Sequence, residues 1–433
     1  MKKTKKIIVC AYAVYPFIKS SEGIVNKNWI DILNKNLLKS YYASANMTIE
    51  TSRTQSFFSS ENRILTFLYF CIKNPKSSVS GFLFRVLNII HRNFLFNSAN
   101  KSSLYEILWK KIQSYKLVRV LKSSPEDTIC WVRLLPSMSF APIVNAYKYQ
   151  KIPIVINFND PIESCVAEHK FLIENLDIAQ CYTFPSNRLL HTFVKQFDLD
   201  FKRCFVVPHA MLEQQKIFQG RNLNSLKMKF VYCGTFYKSA FSPQLKDALL
   251  QFSKTAEGQN VDFLFILSQF DDASKEWLQN TISSVKIITN VDRSEVLQIC
   301  LSADCLLVID AIGHDNLLKG KLVEAISLGM PIFAATYKNS VMDNLILEYG
   351  GIVAYQDEFD DVFCKLKQLS ENLNDVVWIN NFIKNRTSVM QKISEKNIFR
   401  ATSDIADYAL TRFGWSETMI GTEPVAPSGY NWP

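Results

Sequence analysis

The sequence predicts an α/β protein of two tandem units, each a doubly wound parallel sheet with helices on its faces. Three observations carry this expectation. The 433 residues amount to about three modal domain lengths, enough for more than one large core. Short apolar runs ending in turn residues alternate with stretches whose apolar side chains recur every three to four positions, the signature of βαβ layers. The alternation lapses over a polar stretch near residues 211–228 and then restarts.

Residues 6–12 read as the first strand. The turn 16–23 then leads into a helix over 24–38, where Ile24, Trp29, Ile32, Leu33 and Leu37 share one face. The opening MKKTKK imitates a secretory leader, but the apolar run 7–10 is too short for one. A buried strand and a cytoplasmic location are therefore expected. Further strands fall at 128–133, 153–157, 179–184 and 203–207. Between about 40 and 124 no strand stands out. Patches at 65–72, 81–90 and 104–121 have helical spacing, so this stretch reads as a helical insertion in the first unit. The second unit runs strand 230–233, helix 243–251, strands 262–267 and 285–288, and helix 293–303. Strand 304–309, helix 319–328 and strands 331–335 and 351–354 complete it. The expected domains are thus 1–212 and 213–387. A helix within 388–413 is expected to return to the first, and 414–433, rich in Gly, Pro, Ser and Thr, reads as a disordered tail.

Composition narrows the class. Apolar residues make up 48% and charged residues 21%, which excludes a disordered chain and a collagen. The longest clean apolar runs, such as 64–72, fall short of a membrane span. The net charge is +9, and the eleven Lys and Arg from Arg63 to Lys122 face only Glu61 and Glu106. With Phe67, Tyr69, Phe70, Phe82, Phe84, Phe94 and Trp109 interleaved, the insertion suits an anionic bilayer surface or a solvated face. No fold signature of nucleic-acid recognition accompanies the charge. The ten cysteines form no CxxC and sit in apolar runs, as buried reduced thiols do. The five histidines are scattered, so no metal site is expected.

The most informative stretch is 304–334, DCLLVIDAIGHDNLLKGKLVEAISLGMPIFA. A buried strand leads through a loop to a helix that starts near Lys319 and stops at Gly329, with Pro331 beyond. A helix N-terminus at the carboxyl end of a parallel strand favours an anion. Gly320 permits close approach of a phosphate, and Lys319 and Lys321 add positive charge. Lys321 and Glu324, three apart, are neighbours on one face, which places a carboxylate beside the anion site for ribose hydroxyls. A solvated Lys–Glu pair on a surface helix fits the same pattern. Elsewhere, Gly23 and Asp160 each follow a strand of the first unit. They read as cleft residues able to meet hydroxyls, or as a turn glycine and a helix N-cap.

Taken in order, these elements resemble the family 4-like GT-B glycosyltransferases. Lys321, Glu324, Ala325, Gly329, Pro331 and Ile332 match that group's donor-site signature. Gly350-Gly351-Ile352-Val353 resembles its element after the last strand turn, and Phe230-Val231-Tyr232-Cys233-Gly234 the strand that opens its second domain. Val206-Val207-Pro208-His209 resembles the strand that closes its first, and Tyr182-Thr183-Phe184-Pro185-Ser186 a strand that ends at a serine. The chain departs from the pattern in four places. Asn316 stands eight positions before Glu324, where a second glutamate is common, and Gly23 is a single glycine after the first strand. Asn159-Asp160 replaces a His-Asp pair, and an arginine–lysine pair is reduced to Lys238, with Lys246 further on.

The resemblance implies two Rossmann-like domains facing across a cleft, and transfer of a hexose-type sugar from a nucleotide-diphosphate sugar to an acceptor hydroxyl, with retention. It implies no cofactor and no metal. Lys238 and Lys321 would stabilise the leaving diphosphate, and Gly234, Asn316, Lys319, Gly320 and Glu324 would bind the donor. Gly23 and Asp160 would serve the acceptor or cleft. The acceptor implied is a glycan or lipid-linked glycan in surface polysaccharide or glycoconjugate synthesis, at the inner face of the membrane. A non-catalytic GT-B-like module that binds a nucleotide or partner, and a nucleotide-sugar epimerase, share the same plan.

Overall fold

Apolar β-branched and aromatic runs become the strands of two mainly parallel sheets in the computed structural model. It describes residues 6–11, 21–36, 39–43, 49–51, 111, 114–115, 117–119, 121–122, 128–134, 140–162, 167–212, 218–221, 225–235, 240–269, 272–282, 284–313, 317–418, 422–429 and 432. The chain divides into two compact units. One comprises Met1–Ala210 with Ile398–Tyr430, the other Met211–Asn397 with Asn431–Pro433.

The first unit contains β1 (Lys6–Ala11), α1 (Ser21–Lys35), β2 (Lys39–Ala43), β3 (Ile49–Thr51), β4 (Thr128–Leu134) and α2 (Ala141–Tyr149). β5 (Ile154–Phe158), α3 (Ala167–Ile173), β6 (Cys181–Phe184), α4 (Asn187–Phe197) and β7 (Cys204–Val206) follow. The strand order is β3-β2-β1-β4-β5-β6-β7, with β3 antiparallel to β2 and the other pairs parallel. β4, β5 and β6 are buried along their whole length, as expected of a parallel sheet covered on both faces. Trp29 of α1 packs on Trp131 of β4 at 4.9 Å between ring centroids, and Phe158, Phe184 and Phe193 form a second aromatic cluster. Ser186 caps α4 by accepting from the Leu189 N–H.

Two expectations change here. Helix α1 starts at Ser21, so Gly23 is its third residue rather than part of the preceding turn; Ser21 and Glu22 suit a first helical turn as well as a loop. The stretch from 40, expected to be helical, opens instead with β2 and the edge strand β3. The short strands KSYYA and IET, at the margin of the sheet, carry no continuous apolar run and so lack the signal of the buried strands. Residues 52–110, the greater part of the proposed insertion, lie outside the described residues.

The second unit contains β8 (Met228–Thr235), α5 (Pro243–Lys254), α6 (Ala256–Gln259), β9 (Val261–Gln269), α7 (Asp272–Thr281), β10 (Val285–Thr289) and α8 (Arg293–Leu301). β11 (Cys305–Ile309), α9 (Gly320–Ser327), β12 (Ile332–Thr336), α10 (Asp343–Tyr349), β13 (Ile352–Tyr355), α11 (Phe359–Asn372) and α12 (Val376–Lys392) follow. Its six strands run parallel in the order β10-β9-β8-β11-β12-β13, that of a dinucleotide-binding Rossmann sheet. The order reverses between β8 and β11, which opens a crevice at the carboxyl ends of those strands. Phe230, Phe263, Phe265, Leu249, Phe252 and Leu366 lie in one buried core. Helix α9 ends as its sequence demands, with Gly329 in the left-handed region at φ 65°.

The last helix, α13 (Glu395–Thr418), belongs to the first unit from Ile398 onward. Trp29 donates to Thr402 Oγ1 at 3.2 Å, and Tyr408 meets Phe205 edge-on at 5.5 Å. Residues 414–418, assigned by composition to the tail, continue this helix. Beyond it, Glu423 pairs with Arg412, and Trp432 is buried. The tail's Gly, Pro and Ser content hid these side-chain anchors. Among the described residues no helix is long and apolar enough to cross a membrane.

Candidate functional site

In the second unit the polar residues converge where β8 and β11 part. β8 ends at Gly234 and Thr235, where the register against β9 slips by one residue. Gly234 has φ 153°, and a β-carbon there would lie 1.0 Å from Lys321 Nζ and 2.5 Å from its Cε. The missing side chain is therefore the space into which Lys321 folds. The ammonium also lies 5.3 Å from the Tyr232 ring centroid, a cation–π contact. Burial holds Lys321 below the usual lysine range, with Cys233 and Glu324 opposing that shift.

Helix α9 carries Lys321 and Glu324 on its first turns. Its N-cap residue, Lys319, makes no side-chain cap and instead reaches Asp310 at 3.1 Å. Asp310 is fully buried. It accepts from the Ala311 N–H at 3.0 Å and the Ser340 hydroxyl at 3.1 Å, and its backbone carbonyl accepts from Gln356 at 2.8 Å. Burial raises the Asp310 carboxyl, while Lys319 and these donors pull it back. The network ties the ends of β11 and β13 to the start of α9 and so fixes the helix N-terminus at the crevice. Glu324 is ion-paired with Arg293, the first residue of α8. The neighbouring thiols of Cys233 and Cys300 act on each other, which holds Cys233 below and Cys300 above the usual thiol range.

The first unit has its own polar cluster where β1 and β4 part. Arg133, at the end of β4, is buried; it donates to Asn26 and, at 3.3 Å, to Asn159. Asn159 donates to Glu22 at 2.5 Å. Burial pushes the Glu22 carboxyl up to about 7, against the pull of Arg133, and the charge of Asp160 adds to the rise. Burial likewise lowers Arg133 to about 10.

Gly234, Lys319, Gly320, Lys321 and Glu324 are thus gathered at one crevice of the second unit. Gly23 is buried in α1, and Asp160 is exposed just past β5. Lys238 and Asn316 lie outside the described residues. Sequence reasoning missed Arg293, Asp310, Glu22 and Arg133. The signal for Arg293 was its place at a helix start. Arg133 stood at the end of a strand, where a charged residue closing an apolar run is out of character. Among the described residues no group of three or more His, Cys, Asp or Glu is placed to hold a metal ion.

Solved structures share this architecture. A glycosyltransferase from Rickettsia africae ESF-5 matches with a TM-score of 0.60 over 94% of this chain and 99% of its own, at 10% identity. Anabaena HepE, solved with UDP and glucose, matches with a TM-score of 0.57 over 93% and 99%, at 11% identity. TarM of S. aureus, solved as a mutant with fondaparinux, α-GlcNAc-glycerol and UDP, gives 0.52 at 15% identity. That match covers 69% of this chain and 59% of TarM, so the chain spans less than two thirds of TarM's length. No family model and no curated protein matches the sequence. At these identities the likeness establishes the fold. The chain has the GT-B fold, with two Rossmann-like α/β units.

Proposed function

We propose that this protein is a glycosyltransferase that moves a sugar from a nucleotide-diphosphate sugar to an acceptor hydroxyl, of the family 4-like kind and with retention. The observation that carries the reading is the crevice between β8 and β11. There, backbone at Gly234, the N-terminus of α9, a buried ammonium and a carboxylate one turn into the helix stand together. These are the groups that a nucleoside diphosphate needs. N–H groups and cations meet the phosphates, and a carboxylate meets the ribose diol. Three fold neighbours support it, one of them a glycosyltransferase and the other two solved with UDP.

In this reading the second unit binds the donor through Gly234, Asn316, Lys319, Gly320 and Glu324. Negative charge grows on the departing diphosphate as the glycosidic bond breaks. Lys321, with Lys238, stabilises that charge. The first unit takes the acceptor near Gly23 and Asp160. A glycan or lipid-linked acceptor at an anionic membrane surface fits the basic stretch up to Lys122.

The test is a thermal-shift screen with UDP, ADP and GDP, followed by product analysis with the matching sugar donors. A nucleoside diphosphate should raise the melting temperature. Glu324→Gln should weaken its binding by roughly 1.5–3 kcal/mol, the range for hydrogen bonds to charged groups. Lys321→Ala should lower turnover more than donor affinity. Unchanged binding and turnover in both variants would overturn the assignment, leaving a surface ion pair worth less than about 1 kcal/mol.

A further inference from the structure

We propose that Arg293 is a positioning residue for ribose recognition, holding the Glu324 carboxylate in the orientation that accepts the ribose hydroxyls. The proposal rests on the donor-site reading above and adds to it the residue that sets sugar-ring selectivity in the nucleotide.

Glu324 is not a solvated partner of Lys321. Its neighbour three residues back on α9 is folded over Gly234 and the Tyr232 ring instead. The carboxylate is met by Arg293 Nη2 at its Oε1 atom. The two side chains are only 22% and 17% exposed, so they attract more strongly than a solvated pair would. A carboxylate offers two oxygens and about four lone-pair sites. A guanidinium charge beside one oxygen draws that oxygen toward α8 and leaves accepting capacity on the other, as a vicinal diol requires. Arg293 is well placed to do this rigidly. It is the first residue of α8, a helix anchored by the buried Val296 and Cys300. A helix start is a firmer mount than a loop, and the guanidinium's planar fork loses less freedom on pairing than an ammonium. Arg293 itself need not touch the nucleotide.

A purely structural pair between α8 and α9 would affect melting temperature and all ligands alike. Ribose selectivity separates the two roles. Dissociation constants would be measured by calorimetry for UDP, ADP and GDP against dUDP, dADP and dGDP, with wild type, Arg293→Met and Arg293→Lys. Wild type should prefer at least one ribonucleotide over its deoxy counterpart by about tenfold. Arg293→Met should reduce that preference to less than about threefold, mainly by weakening the ribonucleotide and leaving the deoxynucleotide within about twofold. Arg293→Lys should recover part of the preference, and it stands in for the methionine variant if that protein fails to fold. In that case, a lysine variant with the full wild-type preference overturns the proposal. If wild type discriminates and Arg293→Met retains the full preference, this proposal falls while the donor-site reading stands. If wild type binds none of these nucleotides, both fall.

Discussion

Gly234 and Lys321 form one device, because the lysine occupies the volume that any side chain at 234 would need. Gly234→Ala should strain a backbone at φ 153° by about 1–3 kcal/mol and expel the ammonium. Nucleoside-diphosphate affinity should then fall at least tenfold while the protein stays folded. Circular dichroism and calorimetry check both, and unchanged affinity would separate the glycine from the site. In the first unit, the Glu22 carboxyl titrates near 7 rather than near its usual 4.3. The folded state therefore holds this proton across an interval in which the unfolded chain has lost it. Stability should fall as pH rises from about 4.5 to about 7 and level off above. Glu22→Gln should remove that slope, so wild type should lose roughly 2 kcal/mol more than the variant between pH 5 and pH 8 in urea melts. Parallel curves would show that Glu22 titrates as an ordinary carboxylate.

At the scale of elements, α13 is the piece on which the first unit depends. Ile398, Ile405, Ala406 and Ala409 are buried, and Thr402 meets Trp29. A chain ending at Asn397 should therefore lose cooperative folding of the first unit. Among the described residues, one ending at Thr418 gives up the pairing of Glu423 with Arg412 and Lys202 and the burial of Trp432. It should keep both units and lose about 1–3 kcal/mol, chiefly from the indole. Limited proteolysis checks the first outcome and thermal melts the second. What the sequence made legible follows the same divide. β11, α9 and β12 could be read directly, because a buried apolar run, a 3.6-residue period and the Gly329 stop are local features. The Lys321–Glu324 spacing was legible, but the partners of each were not. Arg293 and Gly234 come to α9 from a helix and a strand far away in the chain, and only the crossover order brings them together. Glu22 was invisible for the same reason. Its titration is set first by burial and then by Arg133, at the end of β4, and by Asp160 and Asn159, just past β5.

At the scale of the whole molecule, each unit has its own sheet and its own buried side chains. Two unfolding transitions are expected in calorimetry rather than one, since two-state behaviour is a property of single domains. A saturating nucleoside diphosphate should move only the transition of the second unit. Equal shifts in both would mean that the units melt as one. The path of the backbone adds a further constraint. The chain leaves the first unit at Ala210 and returns to it at Ile398, so the second unit is an insertion rather than a successor. On the ribosome the order of completion is therefore reversed. The inserted unit has nearly all its residues by Asn397, while the unit that was started first waits, its core open around Trp29, until Thr402 and Tyr408 have been made. A nascent chain stalled between those points carries a finished second unit and an unfinished first one, and that interval is when a chaperone would have something to hold.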